Sequence, residues 1–334
     1  LVYVPAKLSL FNFSYKYPHF FPNSQICIFT QKKVILRKVF TIGETVYDII
    51  FSDGKIQSGK PGGSMLNASV SLGRLGINVS FISELGKDDV GDVIIEFLES
   101  NQINTQFIHR YQGGLSPLAL AFLDENKNAA YTFYKNYPKI RLQQQFPEVS
   151  ENDIVLFGSF FSVSPEVRKP LKTFIERAKD RGAIVVYDPN IRKQHQGQIP
   201  GFARMIHENF SLADIVRASH EDFEVVFNIN NVHEAYELLQ EHGSASLIYT
   251  TGGYKVELIS GFLEMELPVP KIDVVSTIGA GDNFNAGLIF SLLKQGIYKK
   301  HLPQLNSDQW KEMLGSGVGC SQEVCKSYEN YVSG

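Results

Sequence analysis

The sequence predicts an α/β fold: a central, mostly parallel sheet flanked by helices, with a small β-sheet lid. Three observations carry this. From Lys38 onward, short apolar runs alternate with stretches of helical periodicity, the pattern of strands covered on both faces. Near the middle, two strand-like runs surround a polar turn, which marks a hairpin. No repeat of 20–50 residues and no low-complexity linker divides the 334 residues, a length that α/β folds often use for one domain.

The elements follow in chain order. Val39-Phe40-Thr41-Ile42 is an apolar run ending at Gly43, and 46–51 is another. Leu66, Val70, Leu72 and Leu75 mark a helix stopped by Gly76. Val79-Ser80-Phe81-Ile82 reads as a strand. Val90, Val93, Ile94, Phe97 and Leu98 have the i, i+3, i+4 spacing of a helix. Asp88 and Asp89 stand at its start, where acids suit the helix dipole. The runs 118–123 and 129–134 flank Asp124-Glu125-Asn126-Lys127-Asn128 and predict the hairpin. Further strands are expected at 154–157, 184–187, 214–216 and 247–249. The lid is expected from strands near 46–58 and 105–135, within a domain over 37–334.

Composition narrows the function. The chain is 43% hydrophobic and 20% charged, ordinary for a soluble globular enzyme. A net charge of −3 gives no pull toward nucleic acid. No apolar run approaches the ~20 residues that span a bilayer, so no membrane partner is expected. Cys27, Cys320 and Cys325 form neither a C-x-x-C pair nor a disulfide framework, which suits a reducing cytoplasm. Residues 1–36 hold no Asp or Glu and many aromatics, among them Phe11, Phe13, Phe20 and Phe21. They lack the continuous apolar core of a signal peptide. Two readings stand: an upstream stretch translated because the start is assigned too early, or an extension packing its aromatics on the body or a neighbour. Neither gives it a catalytic role.

The most informative run is Val274-Val275-Ser276-Thr277-Ile278-Gly279-Ala280-Gly281-Asp282. It reads as a short strand, a glycine-rich turn, then a helix with an aspartate at its start. Such a turn points backbone N–H groups at an anion. A carboxylate beside an anion site does not help phosphate storage. It helps when a hydroxyl must lose its proton while attacking a phosphoryl group. As an N-cap, Asp282 would need no such role, but the small residues just before it allow close backbone approach to a ligand. A dinucleotide site fails because Phe284 stands where a third glycine is required and no acid lies ~20 residues on. No Walker P-loop is present either.

This run resembles the D-T-x-G-A-G-D signature of the ribokinase-like (PfkB) carbohydrate kinases. The family's earlier signature is matched by Gly59-Lys60-Pro61-Gly62-Gly63-Ser64-Met65-Leu66-Asn67-Ala68, continuing to Gly86-Lys87-Asp88-Asp89-Val90-Gly91. The resemblance runs from about Arg37 to the C-terminus. It implies a ribokinase-like sandwich whose lid covers a sugar site and, in many relatives, pairs two subunits into a homodimer. It implies Asp282 as general base, with the N–H groups of Gly279, Ala280, Gly281 and Asp282 as an anion hole. Asp48, Gly62, Gly63 and Asn67 match the sugar-binding positions. Lys60 stands near them and suits an anion or a polar substrate. Phe133-Tyr134-Lys135 on the second lid strand would stack on the sugar or simply pack the lid.

The segment Asp188-Pro189-Asn190-Ile191-Arg192 resembles the family's D-P-N-x-R, with Asn190 near the ATP phosphates and Arg192 facing the active centre. Thr250-Thr251-Gly252 resembles the T-x-G nucleotide loop and implies Thr250 and Gly252 as nucleotide contacts, with adenine held near the helix at 315–320. Relatives carry N-x-x-E in the Mg²⁺–phosphate network; here Ser219 and Asp222 stand instead. Asp222 would then reach the metal through a water, and Ser-x-x-Asp is also a helix capping pattern. Ser276 replaces the first acid of D-T-x-G-A-G-D, which puts a monovalent-cation site in doubt.

The reading is an ATP- and Mg²⁺-dependent kinase of a primary hydroxyl on a small sugar. Gly43-Glu44-Thr45, Asp48 and the Lys60-Pro61-Gly62-Gly63 run resemble fructokinases most. A ribokinase, a 2-keto-3-deoxygluconate kinase and a nucleoside kinase are alternatives. A non-catalytic sugar or nucleotide sensor is a remote one, which intact Gly279, Gly281 and Asp282 oppose. An adaptor whose aromatic leader binds a partner is a third.

Overall fold

The computed structural model describes residues 37–123, 129–192, 201–244 and 246–333. The expected extension 1–36 and the polar turn 124–128 lie outside the described residues. Among the described residues the large sheet has nine strands: β1 (Val39–Ile42), β4 (Val79–Gly86), β5 (Ile108–Tyr111), β8 (Ile154–Gly158), β9 (Ile184–Asp188), β10 (Ile215–Ser219), β11 (Ser246–Thr250), β12 (Lys255–Ser260) and β13 (Leu263–Pro268). Their order is β13-β12-β11-β10-β9-β8-β1-β4-β5. Only the pairs β11–β12 and β12–β13 are antiparallel; the pairs from β11 through β5 are parallel.

Alternate residues of each strand enter opposite cores. Ile154 and Leu156 face one side, Val155 and Phe157 the other, all fully buried. Each such side chain contributes about 1.5–3 kcal/mol by leaving water. The first core is closed by α1 (Ser64–Arg74), α2 (Asp89–Ser100), α7 (Ala280–Lys294) and α8 (Ser307–Cys325). The second is closed by α3 (Pro165–Asp180), α4 (Phe202–Leu212), α5 (His220–Phe227) and α6 (Val232–Glu241). This is the expected sheet between helices. No helix among the described residues is long and apolar enough to cross a membrane.

The chain leaves β1 into β2 (Val46–Ser52) and β3 (Lys55–Gly62), then returns through α1 to β4 on one side of β1. Later β8 joins β1 on its other side. The carboxyl end of β1 is therefore a topological switch point, where open α/β sheets form ligand crevices. Over it stands the lid, a sheet of order β3-β2-β6-β7 with β6 (Leu115–Leu123) and β7 (Ala129–Asn136).

Three expectations are corrected. The second lid segment begins at Leu115, not near 105: β5 pairs in parallel with β4, Ser83 opposite Ile108, and belongs to the large sheet. Strand β3 runs on to Gly62, past the expected limit at 58. Residues Val274, Val275 and Ser276 form no strand. Val274 and Val275 are exposed, and the N–H of Val275 donates to the last turn of α8 at Cys325 (2.8 Å). A helix end offers free carbonyls, and here they take the place of a strand partner.

Candidate active site

The lid and the carboxyl ends of β1, β8 and β9 enclose a cavity of about 590 Å³. Among the expected residues, Asp48, Gly63, Asn67, Asn190, Gly279 and Asp282 line it. Side chains two apart on β7 share a face, and so Tyr131, Phe133 and Lys135 all reach the cavity while Tyr134 points out, exposed. Across from β7, Ala119 and Ala121 on β6 are buried; their small size leaves room for the stacked rings of Tyr131 and Phe133 (5.9 Å).

Asp282 sits in the first turn of α7. The N-cap is Gly279, in the left-handed conformation at φ 79°, with no side-chain cap. The Asp282 carboxylate is held from outside its own helix. Asn67 Nδ2 donates to Oδ2 at 2.8 Å and Asn190 Nδ2 approaches Oδ1 at 3.5 Å. Burial pushes this carboxyl up to about 7; the bond from Asn67 opposes that, nearby Asp188 adds to it, and Arg192 and Arg217 oppose it. A base titrating near neutral pH is matched to proton abstraction there. Of the backbone donors, Ala280 N–H turns back to Thr277 (3.2 Å). Among the described residues the N–H groups of Gly281 and Asp282 have no acceptor, as helix starts leave them.

The residues expected at the sugar gather around Asp48. A Cβ on Gly62 would lie 1.9 Å from Asp48 Oδ2, and one on Gly63 (φ 122°) would lie 2.5 Å from the Glu44 carbonyl. The glycine pair thus lets α1 begin directly beneath the Asp48 carboxylate. Burial raises Asp48 to about 6, against the charges of Lys60 and Arg192. Asn67 Oδ1 is buried with no partner among the described residues, an acceptor suited to a hydroxyl. Lys60 does not line the cavity; its ammonium donates to the Tyr328 carbonyl, and burial lowers its pKa.

The residues expected at the nucleotide lie past Gly281. Thr250 ends β11, and its hydroxyl accepts from Arg217 Nη2 at 2.9 Å. Gly252 follows at φ 62°, open to solvent. Asp222 stands apart. It forms a capping box with Ser219 at the start of α5, its Oδ2 accepting from Ser219 N–H at 2.7 Å and its Oδ1 from Ile191 N–H at 2.5 Å. Both oxygens are occupied, and it holds the Asn190 loop in place.

Sequence reasoning missed two features. One is a charged tie from the lid to the sheet. Glu44 accepts from Lys135 (2.6 Å) and from Tyr137, while Arg141 stacks on Tyr137 (3.5 Å) and donates to buried Glu84. These residues are scattered over 44–141, so no local pattern shows them. The other is Arg217, whose signal was present: a cation inside the run Ile215-Val216-Arg217-Ala218, on a strand covered on both faces.

Known proteins similar to this chain give its family and its fold. The family model described as pfkB family carbohydrate kinase matches residues 36–331. Aminoimidazole riboside kinase of Salmonella typhimurium is 26% identical over 265 residues, covering 79% of this chain and 83% of that protein. Probable fructokinase-5 of Arabidopsis thaliana is 26% identical over 242 residues, covering 71% and 74%. The structure of Vibrio cholerae O395 fructokinase with fructose, ADP and calcium superposes with a TM-score of 0.78 at 18% identity, over 89% of this chain and 96% of that one. That of Salmonella enterica aminoimidazole riboside kinase with its riboside and an ATP analog gives 0.75 at 22%, over 89% and 96%. The fold is the ribokinase-like sandwich, and the chain belongs to the pfkB family of carbohydrate kinases, phosphotransferases acting on a sugar hydroxyl.

Proposed function

We propose that this chain transfers the γ-phosphoryl group of ATP to a primary hydroxyl of a small sugar, with fructose the first candidate. The observation that carries the reading is Asp282: a buried carboxylate at a helix N-terminus, held by two amides, with its titration raised to about 7. Asp282 takes the hydroxyl proton as the oxygen attacks the γ-phosphorus. The bond from that phosphorus to the bridging oxygen breaks, and ADP leaves with the electron pair. The Gly281 and Asp282 N–H groups offset charge on the group in flight. Asp48 and Asn67 orient the sugar. The lid rings and the Glu44–Lys135 tie exclude water that would otherwise hydrolyse ATP.

Magnesium suits the residues present. It needs only one or two protein carboxylates beside the phosphates, and Asp188 Oδ1 is a buried oxygen without a partner among the described residues. Bound there, the ion would neutralise phosphate charge. Asp222, with both oxygens engaged, would contribute only through a water. Fructose is favoured by the fructokinase names among the relatives. A nucleoside is the second reading, favoured by the aminoimidazole riboside kinase relative and by the stacked Tyr131 and Phe133, a surface suited to a flat base. The kinase unit is 37–334, and 1–36 takes no part in catalysis. A homodimer through the lids would cover exposed Ile56 and Phe122.

The test is ADP release with Mg²⁺-ATP across fructose, ribose, 2-keto-3-deoxygluconate and aminoimidazole riboside. Turnover of one acceptor, lost in Asp282→Asn, supports the reading. Undiminished turnover in that variant removes Asp282 as the base.

A further inference from the structure

Residues 328–332, which follow α8, tie lid strand β3 to α1 and to the start of α7. The Tyr331 hydroxyl donates to the Pro61 carbonyl on β3. The Tyr331 ring is buried, 5.3 Å from the Arg74 guanidinium carbon and 5.4 Å from the Phe97 ring. Val332 N–H donates to Ser71 Oγ on α1 (3.2 Å), and the Val332 carbonyl accepts from Arg74 Nη1 (3.0 Å). Before them, the Tyr328 carbonyl accepts from the Lys60 ammonium. This strap is therefore fastened on both sides of Asn330.

Asn330 itself docks on the turn that precedes Asp282. Its carbonyl accepts from Asn283 Nδ2 (2.8 Å), which also donates to the Gly279 carbonyl (2.8 Å). A Cβ on Gly279 would stand 3.0 Å from the Asn330 carbonyl oxygen. That glycine thus has a use beyond its φ: it lets the strap lie against the α7 cap. The main chain of Asn330 is accounted for, and its side chain is not. The residue is only 4% exposed and lines the cavity, yet its carboxamide makes no hydrogen bond among the described residues. An amide taken from water without a partner costs free energy. Beside a cavity, a ligand that completes its hydrogen bonds accounts for it.

We infer that the Asn330 carboxamide binds the acceptor, through a hydroxyl next to the one that Asp282 deprotonates. The inference rests on the kinase reading above. On one side of Asn330 lies the turn that carries Asp282. On the other, Tyr331 at Pro61 sets the strap beside Gly62 and Gly63, and so beside Asp48. A carboxamide donates and accepts at once, which suits a hydroxyl. It also carries no charge to repel phosphates arriving at the same turn. Asp48 holds the acceptor from the lid and Asn67 from α1; Asn330 adds a contact at the reacting end. It is thereby a specificity-determining residue, because an acceptor without that hydroxyl leaves the amide unpaired.

Asn330→Ala removes the carboxamide and keeps the main-chain carbonyl that Asn283 holds. Wild type and variant are assayed with Mg²⁺-ATP on whichever of fructose, ribose, 2-keto-3-deoxygluconate and aminoimidazole riboside turns over, and on its monodeoxy analogues. The variant is expected to lose about 10-fold in kcat/KM for the intact acceptor, the effect of one missing hydrogen bond. The KM for Mg-ATP should stay within about twofold, and the urea midpoint should not move. One monodeoxy acceptor, the one without the hydroxyl that Asn330 meets, should be handled alike by both proteins. The others should keep the full difference, and such non-additivity marks a direct contact.

If the variant handles the intact acceptor as the wild type does, the inference is overturned. The same loss on every monodeoxy acceptor also overturns it, as does an equal rise in the KM for Mg-ATP, because a displaced strap would act in that way. Should the wild type phosphorylate none of the four acceptors, the kinase reading fails, and equilibrium binding of the same four compounds to both proteins then decides the contact. A wild type that binds none of them sinks both.

Discussion

The starts of α5 and α7 make an informative pair. Each carries an aspartate at the third helical position, Asp222 and Asp282, and burial raises both. What precedes them differs. α5 begins from Ser219 in an extended conformation (φ −89°, ψ 162°), and its hydroxyl and Asp222 close a capping box. α7 begins from Gly279 at φ 79°, with no side chain to accept or donate. The α5 acid is spent on its own helix and on Ile191. The α7 acid is left for the amides of Asn67 and Asn190, which aim it into the cavity. One residue at the cap separates a carboxylate bound to its own helix start from one that faces the cavity.

The comparison breaks most sharply on removal of each acid. Asp282→Asn is expected to lower kcat by about 10²–10⁴-fold or more in the ADP-release assay, with sugar affinity retained by Asp48 and Asn67. Wild-type-like turnover would put the two acids on the same footing. A smaller effect is expected from Asn67→Ala, about 10–100-fold in kcat/KM, because one amide of two is lost. The bond from Asn67 holds the Asp282 carboxyl down, so the acidic limb of the pH–rate profile should move to higher pH. A limb that stays in place would mean that Asn67 binds sugar without tuning the base.

Asp222→Ala should reveal itself in stability. Losing the cap and stranding the Ile191 N–H costs about 1–3 kcal/mol, read as a lower urea midpoint, while turnover stays within about tenfold. An unchanged midpoint with a hundredfold loss of turnover would instead place Asp222 in the metal network.

Much of this contrast was legible in the sequence. The glycines before Asp282 and the Ser-x-x-Asp of α5 are local patterns, and each expresses backbone chemistry within one turn. Most of the parallel strands were legible because burial on both faces makes them continuous apolar runs; β5, with His109 and Arg110 at its centre, has no such run. The hairpin of β12 and β13 was not, since β13 lies at the sheet edge with a half-exposed face and lacks such a run. The strand expected at 274–276 failed for the opposite reason: its apolar residues are exposed, and its partner is a helix end. Long-range pairings such as Glu84 with Arg141, or Arg217 with Asp188, are fixed by the sheet order, and no spacing along the chain encodes them.

The smallest effect sharpens the comparison through pH. A carboxyl whose folded pKa is raised favours the folded state when protonated. Its contribution is fully present below the unfolded value of 3.8 and is lost as pH rises through the folded value, about 7 for Asp282. Above pH 7 the wild type must bury a charged Asp282; Asp282→Asn does not, and an amide still accepts from Asn67. The variant's advantage should therefore be smallest near pH 4 and grow by on the order of 1–2 kcal/mol or more up to pH 8, measured by urea denaturation at both values. Asp222→Asn should show no such gain, because its carboxylate oxygens accept from Ser219 and Ile191 and an amide satisfies fewer of those donors. A gain in both variants would mean that burial alone sets the two acids; a gain in Asp282→Asn alone would show stability given up at the base in exchange for reactivity.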